Sequence, residues 1–137
     1  MIEIVPLTKE IFDAMGKADH YPKITMPGAR GLAMAIDGNP VAAAGLIKVF
    51  DDTAHAWTIL LPEAKQSQRI MRRVHYAIST LFPLWCEELK LVRVQADTEL
   101  DLPGGCAWLE RLGFKFEGNM VKYCQGKDFA RYAWVRG

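Results

Sequence analysis

The sequence predicts an α/β fold: a mixed, mostly antiparallel sheet of about seven strands with a parallel central pair, carrying three to four helices. Three observations predict it. The first half holds a strand meander punctuated by tight-turn residues, the middle holds one long amphipathic helix running into a strand, and the end holds a glycine-terminated helix leading into a hairpin.

The elements follow in order. Ile2, Ile4 and Pro6 alternate with other residues as a first strand does, and Thr8 then caps a helix with Glu10, Ile11 and Phe12 in its first turns. From Gly16 to Arg30 no period is sustained, and Pro22, Pro27 and Gly28 mark a loop with a short helical piece; loops of that length often carry function. Apolar runs at 32–36 and 41–47 flank Asp37-Gly38, a hairpin signal, because both central positions of that turn need positive φ. A second turn at Asp51-Asp52-Thr53 leads into a third strand over 54–61, and Pro62 stops it.

The period then changes. Ile70, Met71, Val74, Ala77, Ile78 and Leu81 share one helical face from Gln66 onward, and Pro83 is expected to end the helix. Residues 91–96 read as the strand completing a crossover, hence parallel to the strand before the helix. Pro103 suits a first helical position, Trp108, Leu109 and Leu112 supply a buried face, and Gly113 suits a left-handed cap. Residues 114–121 and 128–135 finish as a hairpin through Gln125-Gly126-Lys127.

Composition narrows the function. Residues 1–137 suit one domain, and 50% apolar against 24% charged residues is the balance of a chain that folds by burying a core. Seventeen basic and sixteen acidic side chains leave +1, so no global positive field favours nucleic acid as partner. No apolar run approaches the roughly 20 residues of a membrane helix, and the amino terminus lacks a basic region followed by an apolar core. A cytoplasmic location without a membrane partner is expected. Cys86, Cys106 and Cys124 form no C-x-x-C pair and have no histidine at ligand spacing, which argues against zinc or a disulfide framework and for small buried apolar residues.

Two segments carry a family resemblance. Ile36-Asp37-Gly38-Asn39-Pro40-Val41 resembles the turn between the second and third strands of the GNAT N-acetyltransferase superfamily. Residues 107–118, Ala107-Trp108-Leu109-Glu110-Arg111-Leu112-Gly113-Phe114-Lys115-Phe116-Glu117-Gly118, resemble its last helix, which ends in Gly-Phe before the sixth strand. With the element order, the resemblance spans nearly the whole chain. It implies an acyl-CoA-dependent N-acyltransferase that moves an acetyl group from acetyl-CoA to an amine on a small molecule or a protein.

The chain departs from the family at two places. Family members follow the fourth strand with Arg/Gln-x-x-Gly-x-Gly/Ala, whose glycines let backbone N–H groups approach the coenzyme A pyrophosphate. Here the run is Leu61-Pro62-Glu63-Ala64-Lys65-Gln66-Ser67-Gln68-Arg69-Ile70, without glycine. Many members also carry a proton-donating tyrosine four residues before the glycine of the last helix; Leu109 stands there, Leu102-Pro103-Gly104-Gly105 stand where an asparagine would open that helix, and Tyr123 is the nearest later phenol. The stretch from Leu32 to Ala43, the arginine-rich helix and the Leu112-Gly113-Phe114 ending more narrowly resemble small GNAT-like proteins of short-tailed phages, including one family of internal virion proteins, which are often glycine-poor in the same loop. This resemblance implies an alternative: an inactive GNAT-fold phage or prophage protein serving as a binding or virion assembly module, with a virion component or a second copy of the chain as partner.

The resemblance also assigns sites. Lys65, Gln66, Ser67, Gln68, Arg69 and Ile70 would hold coenzyme A phosphates through side chains and the helix dipole, although the same residues make an ordinary solvated cap with Ser67 as cap residue. Leu60 and Leu61 would offer backbone groups to the pantetheine arm, because in this family the fourth and fifth strands splay apart. His55, on the fourth strand, is the candidate general base, since an imidazole pKa near 6.5 suits the role; alternation places it with Trp57 and Ile59, where a packed structural histidine is the competing reading. His20 and Tyr21 fall where the family grips its acceptor. His75, mid-helix, reads as structural.

Overall fold

The computed structural model describes residues 2–8, 10–11, 13–15 and 30–137. Its strands are β1 (Ile2–Pro6), β2 (Arg30–Ile36), β3 (Asn39–Phe50), β4 (Thr53–Leu60), β5 (Arg93–Glu99), β6 (Lys115–Cys124) and β7 (Lys127–Val135). Its helices are α1 (helical at 10–11 and 13–15), α2 (Pro62–Lys65), α3 (Gln68–Glu88) and α4 (Gly105–Arg111). The strands form one seven-stranded sheet in the order β1-β2-β3-β4-β5-β7-β6, antiparallel throughout except for β4 with β5. No described helix is long and apolar enough to cross a membrane.

Local chemistry explains the outline. Asp37 and Gly38 sit at φ 49° and 84°, and Gln125 and Gly126 at 52° and 74°, the paired positive φ of the tight hairpin turns their sequences announce. Thr8 Oγ1 accepts from Ile11 N at 3.1 Å, and Ser67 Oγ from Ile70 N at 3.2 Å, so each hydroxyl satisfies a donor that an opening helix leaves free. Gly45 is required by space: a Cβ there would lie 2.2 Å from Arg30 O and 2.8 Å from Trp57 Cζ2.

Alternation divides the core into two layers. Under α3 and α4 lie Met34, Leu46, Val94, Leu91 and the buried face of α3 itself, Ile70, Val74, Ala77, Ile78, Phe82, Trp85 and Cys86. The opposite face buries Ala33, Ala43, Trp57 and Ile59 against Met15 of α1. Trp108 Nε1 donates to His75 Nδ1 at 2.9 Å and ties α4 to α3, which gives His75 a structural role.

Four expectations need correction. Pro83 does not end the long helix: α3 continues to Glu88. Proline removes one backbone donor inside a helix at a cost of about 3 kcal/mol, but Phe82, Trp85 and Cys86, all buried, hold the continuing turns on the sheet. Pro103 does not open the last helix either: Gly104, at φ 80°, is its N-cap, and a Cβ on Gly105 would meet Thr98 Oγ1 at 2.1 Å. The helix therefore starts where a glycine lets it touch β5. The fifth strand begins at Arg93 rather than at residue 91, because Val92 N donates to Asp52 O, in the β3–β4 turn, before the ladder starts. Of the three cysteines only Cys86 is buried, with its thiol pushed up to about 11 by that burial; Cys106 is half-buried and Cys124 exposed.

Candidate active site

β4 and β5 pair only at Thr53↔Arg93, Ala54↔Val94 and His55↔Gln95. Beyond His55, β4 stays with β3 as far as Leu60, and β5 stays with β7 as far as Glu99. The two central strands therefore diverge into a wedge with His55 at its vertex. Strand N–H and C=O groups that face a wedge have no ladder partner and must find water or a ligand.

Side-chain alternation lines one face of this wedge with polar groups. His55 shares its face with Trp57 and Ile59, the latter two in the α1-side core, as the two-residue period requires. On β5 the same face carries Arg93, Gln95 and Asp97, while Val94 and Ala96 point into the α3-side core. The register sets Arg131 of β7 opposite Asp97, and Arg131 donates through Nε to Oδ1 and through Nη2 to Oδ2 at 3.4 Å. His55 Nε2 lies 3.8 Å from the same Oδ2, with the imidazole 26% and the carboxylate 7% exposed.

Burial holds the His55 pKa below its usual 6.5; Asp97 pulls the other way and Arg131 adds to the lowering. The ring is therefore neutral at pH 7. Tyr123, on β6, adjoins Asp97 and Arg131, and burial together with that carboxylate raises its phenol above the ordinary value. Arg93 grips Glu117 with Nη1 at 2.8 Å from Oε2 and turns Nε to Gln95 at 3.3 Å, and Lys127 pairs with Glu99 at 3.1 Å.

The segment after β4 is differently organised. It coils into α2, so that Ala64 N and Lys65 N donate to Leu61 O, Gln66 N to Pro62 O and Ser67 N to Ala64 O. Leu61 N donates to Val41 O. With Ile70 N capped by Ser67, the backbone donors left at the start of α3 are those of Gln68 and Arg69. Lys65, Gln66, Gln68 and Arg69 are exposed, whereas the Ile70 side chain is in the core. Gln68, Arg69, Arg72 and Arg73 line an open depression on the helix surface, and none of these arginines forms an ion pair with another described residue.

Comparison with known proteins rests on structure. No protein-family model matches the chain, and no curated protein sequence matches it. Among solved structures, mutant forms of the spermidine/spermine N-acetyltransferase SpeG from Vibrio cholerae superpose with a TM-score of 0.75 at 13% identity, over 98% of this chain and 95% of that one. A protein carrying a phosphinothricin N-acetyltransferase assignment superposes with a TM-score of 0.74 at 10% identity, over 100% and 99%. The chain has the GNAT fold. At these identities the likeness is one of fold, and the chemistry rests on the residues.

Within the GNAT fold the expected positions fare unequally. Leu61 N and Ile70 N, like the N–H groups of Lys65 and Gln66, donate within the protein and Ser67 Oγ accepts from Ile70 N, while the side chains of Lys65, Gln66, Gln68 and Arg69 are exposed. His20 and Tyr21 lie outside the described residues. Leu109, at the family's tyrosine position, packs against the α3-side core and offers no proton. Asp97, Arg131 and Tyr123 form the polar centre of the site, and only Tyr123 is noticeable in the sequence, as a spare phenol. The available signal was the alternation Arg93-Val94-Gln95-Ala96-Asp97, which aligns three polar side chains on one face of a central strand.

Proposed function

We propose that this protein is an acyl-CoA-dependent N-acyltransferase that transfers an acetyl group from acetyl-CoA to an amine. The observation that carries the reading is the divergence of β4 and β5 immediately past His55, which leaves strand groups without a ladder partner beside a half-buried, neutral imidazole. The wedge fits the amides of a pantetheine arm, because an extended ligand chain can complete both broken ladders. Lys65, Arg69 and the N–H groups of Gln68 and Arg69 fit phosphate oxygens at a helix start, through side chains more than through a backbone cradle. Acetyl-CoA, when bound, supplies the activated acyl group. His55 takes the proton from the incoming ammonium, which must become a neutral amine before it can attack, and strand N–H groups facing the wedge are the donors available to a developing oxyanion.

A second reading is favoured by a specific observation. The α2 turn consumes the four N–H groups of residues 64–67, and Leu109 replaces the usual proton donor, as in a fold retained for binding or assembly after its chemistry is lost. Calorimetric titration with acetyl-CoA and with free coenzyme A, paired with thermal unfolding, separates the two. Saturable heat with a matching rise in melting temperature is expected. A panel of amines that includes spermidine, the acceptor in the SpeG name, then tests for thiol release. No heat and no thermal shift at millimolar ligand would overturn the acyltransferase reading in favour of the binding module.

A further inference from the structure

We infer that Asp97 is the positioning residue of His55, holding its Nε2–H through a carboxylate locked by Arg131, so that Nδ1 is the nitrogen that accepts the acceptor's proton. The inference rests on the acyltransferase reading for its purpose and on geometry for its content.

A carboxylate only 7% exposed needs partners, and Arg131 supplies two donors across the β5–β7 ladder. Oδ2 receives the weaker of the two, at 3.4 Å, and is also the oxygen that faces His55 Nε2, at 3.8 Å. That separation is longer than a hydrogen bond, as is common where a catalytic contact tightens on substrate binding. A carboxylate accepts only, so it favours the tautomer with the proton on Nε2 and leaves the Nδ1 lone pair free.

Arg131 has a second effect. A bare carboxylate would favour the charged ring and disable it as a base at neutral pH, whereas burial, the largest influence on the ring, and the guanidinium both oppose that pull, so the ring is oriented without being protonated. Among the described residues Asp97 and Arg131 are the charged groups acting on the ring; β3 turns Ile47 to it, β5 offers the neutral Gln95, and Tyr123 of β6 stands behind the carboxylate.

The test is NMR of the full chain labelled with 15N-histidine, with the His55 signals identified by their loss in His55→Gln. The wild-type ring is expected as the Nε2–H tautomer. Asp97→Asn removes the attraction and leaves Arg131, so the His55 titration moves to lower pH; Arg131→Gln leaves the carboxylate unscreened, so it moves to higher pH. The acidic limb of the kcat/KM profile moves with the same two signs. An Nδ1–H tautomer, or melting temperatures that fall in both variants while the His55 titration stays in place, would overturn the inference and leave Asp97–Arg131 as a stabilising bridge. If one variant fails to fold, the other still carries a signed expectation. The titration needs no turnover, so its outcome is independent of the coenzyme A titration that decides the acyltransferase reading.

Discussion

The vertex of the wedge and the helix start that follows it are parts of one candidate site built in opposite ways. At the vertex, His55, Asp97, Arg131 and Tyr123 come from four strands and constrain one another, with the central carboxylate almost wholly buried. At the helix start the backbone has closed on itself through α2, and what faces outward is a set of exposed side chains, Lys65, Gln66, Gln68 and Arg69. On the acyltransferase reading, the difference teaches that the reacting end would be preorganised, whereas the helix start would hold phosphates only by ordering long side chains. That ordering costs about 0.5–1.5 kcal/mol for each side chain fixed. Affinity for coenzyme A is thus expected to be modest and salt-sensitive, while proton transfer depends on rigid geometry.

Breaking the vertex gives the largest effect. His55→Gln removes the base but leaves the helix start intact, so kcat falls by about 10²–10⁴-fold while calorimetric affinity for coenzyme A stays within about twofold of wild type. Equal loss of binding and turnover would show that the two regions are not separable. Breaking the other end gives the complementary result. Replacing Lys65 and Arg69 together by alanine removes two charge-assisted contacts, each worth about 1.5–3 kcal/mol when made, so coenzyme A binding weakens by roughly 10²-fold or more with kcat at saturation nearly unchanged. Wild-type affinity in that variant would mean that the phosphates bind elsewhere.

A variant remote from both regions supplies the control. Trp108→Phe deletes the donor to His75 Nδ1 and should cost about 1 kcal/mol of stability, a fall of roughly 4 °C in melting temperature. The His55 titration is expected to stay in place in this variant; a displacement would show that α3–α4 packing reaches the vertex through the sheet.

The same contrast governs what was legible in the sequence. The helix start is local: a proline, a serine cap and exposed cations within ten residues, all visible as text, and Ser67 caps α3 as its spacing to Ile70 implies. The hairpins at Asp37-Gly38 and Gln125-Gly126 were legible for the same reason, since each turn is fixed by two adjacent residues. The vertex is not local. Asp97 and Arg131 meet only because β7 lies between β5 and β6, and a strand's neighbour is decided by packing of the whole sheet. Pro83 and Pro103 misled in a related way: each is a strong local signal overruled by a contact made elsewhere, the burial of Trp85 and Cys86 in one case and the close approach of Gly105 to Thr98 in the other.

The smallest expected effect sharpens the account of the vertex itself. In the unfolded chain His55 titrates near 6.5; in the folded protein burial holds its pKa lower. Above about pH 6.5 both states carry a neutral ring and the full stability is present. As pH falls below that value the unfolded chain binds a proton that the folded one refuses, so stability declines until the folded pKa is reached and is level below it. The difference in unfolding free energy between wild type and His55→Gln isolates this term, because the other titrating groups are common to both proteins. It should decline from pH 7 towards pH 5, with wild type losing the more. A flat difference would mean that the ring is not desolvated, and a rise on acidification would mean that Asp97 outweighs burial and that the imidazole is held charged, a state in which it could donate a proton but not remove one.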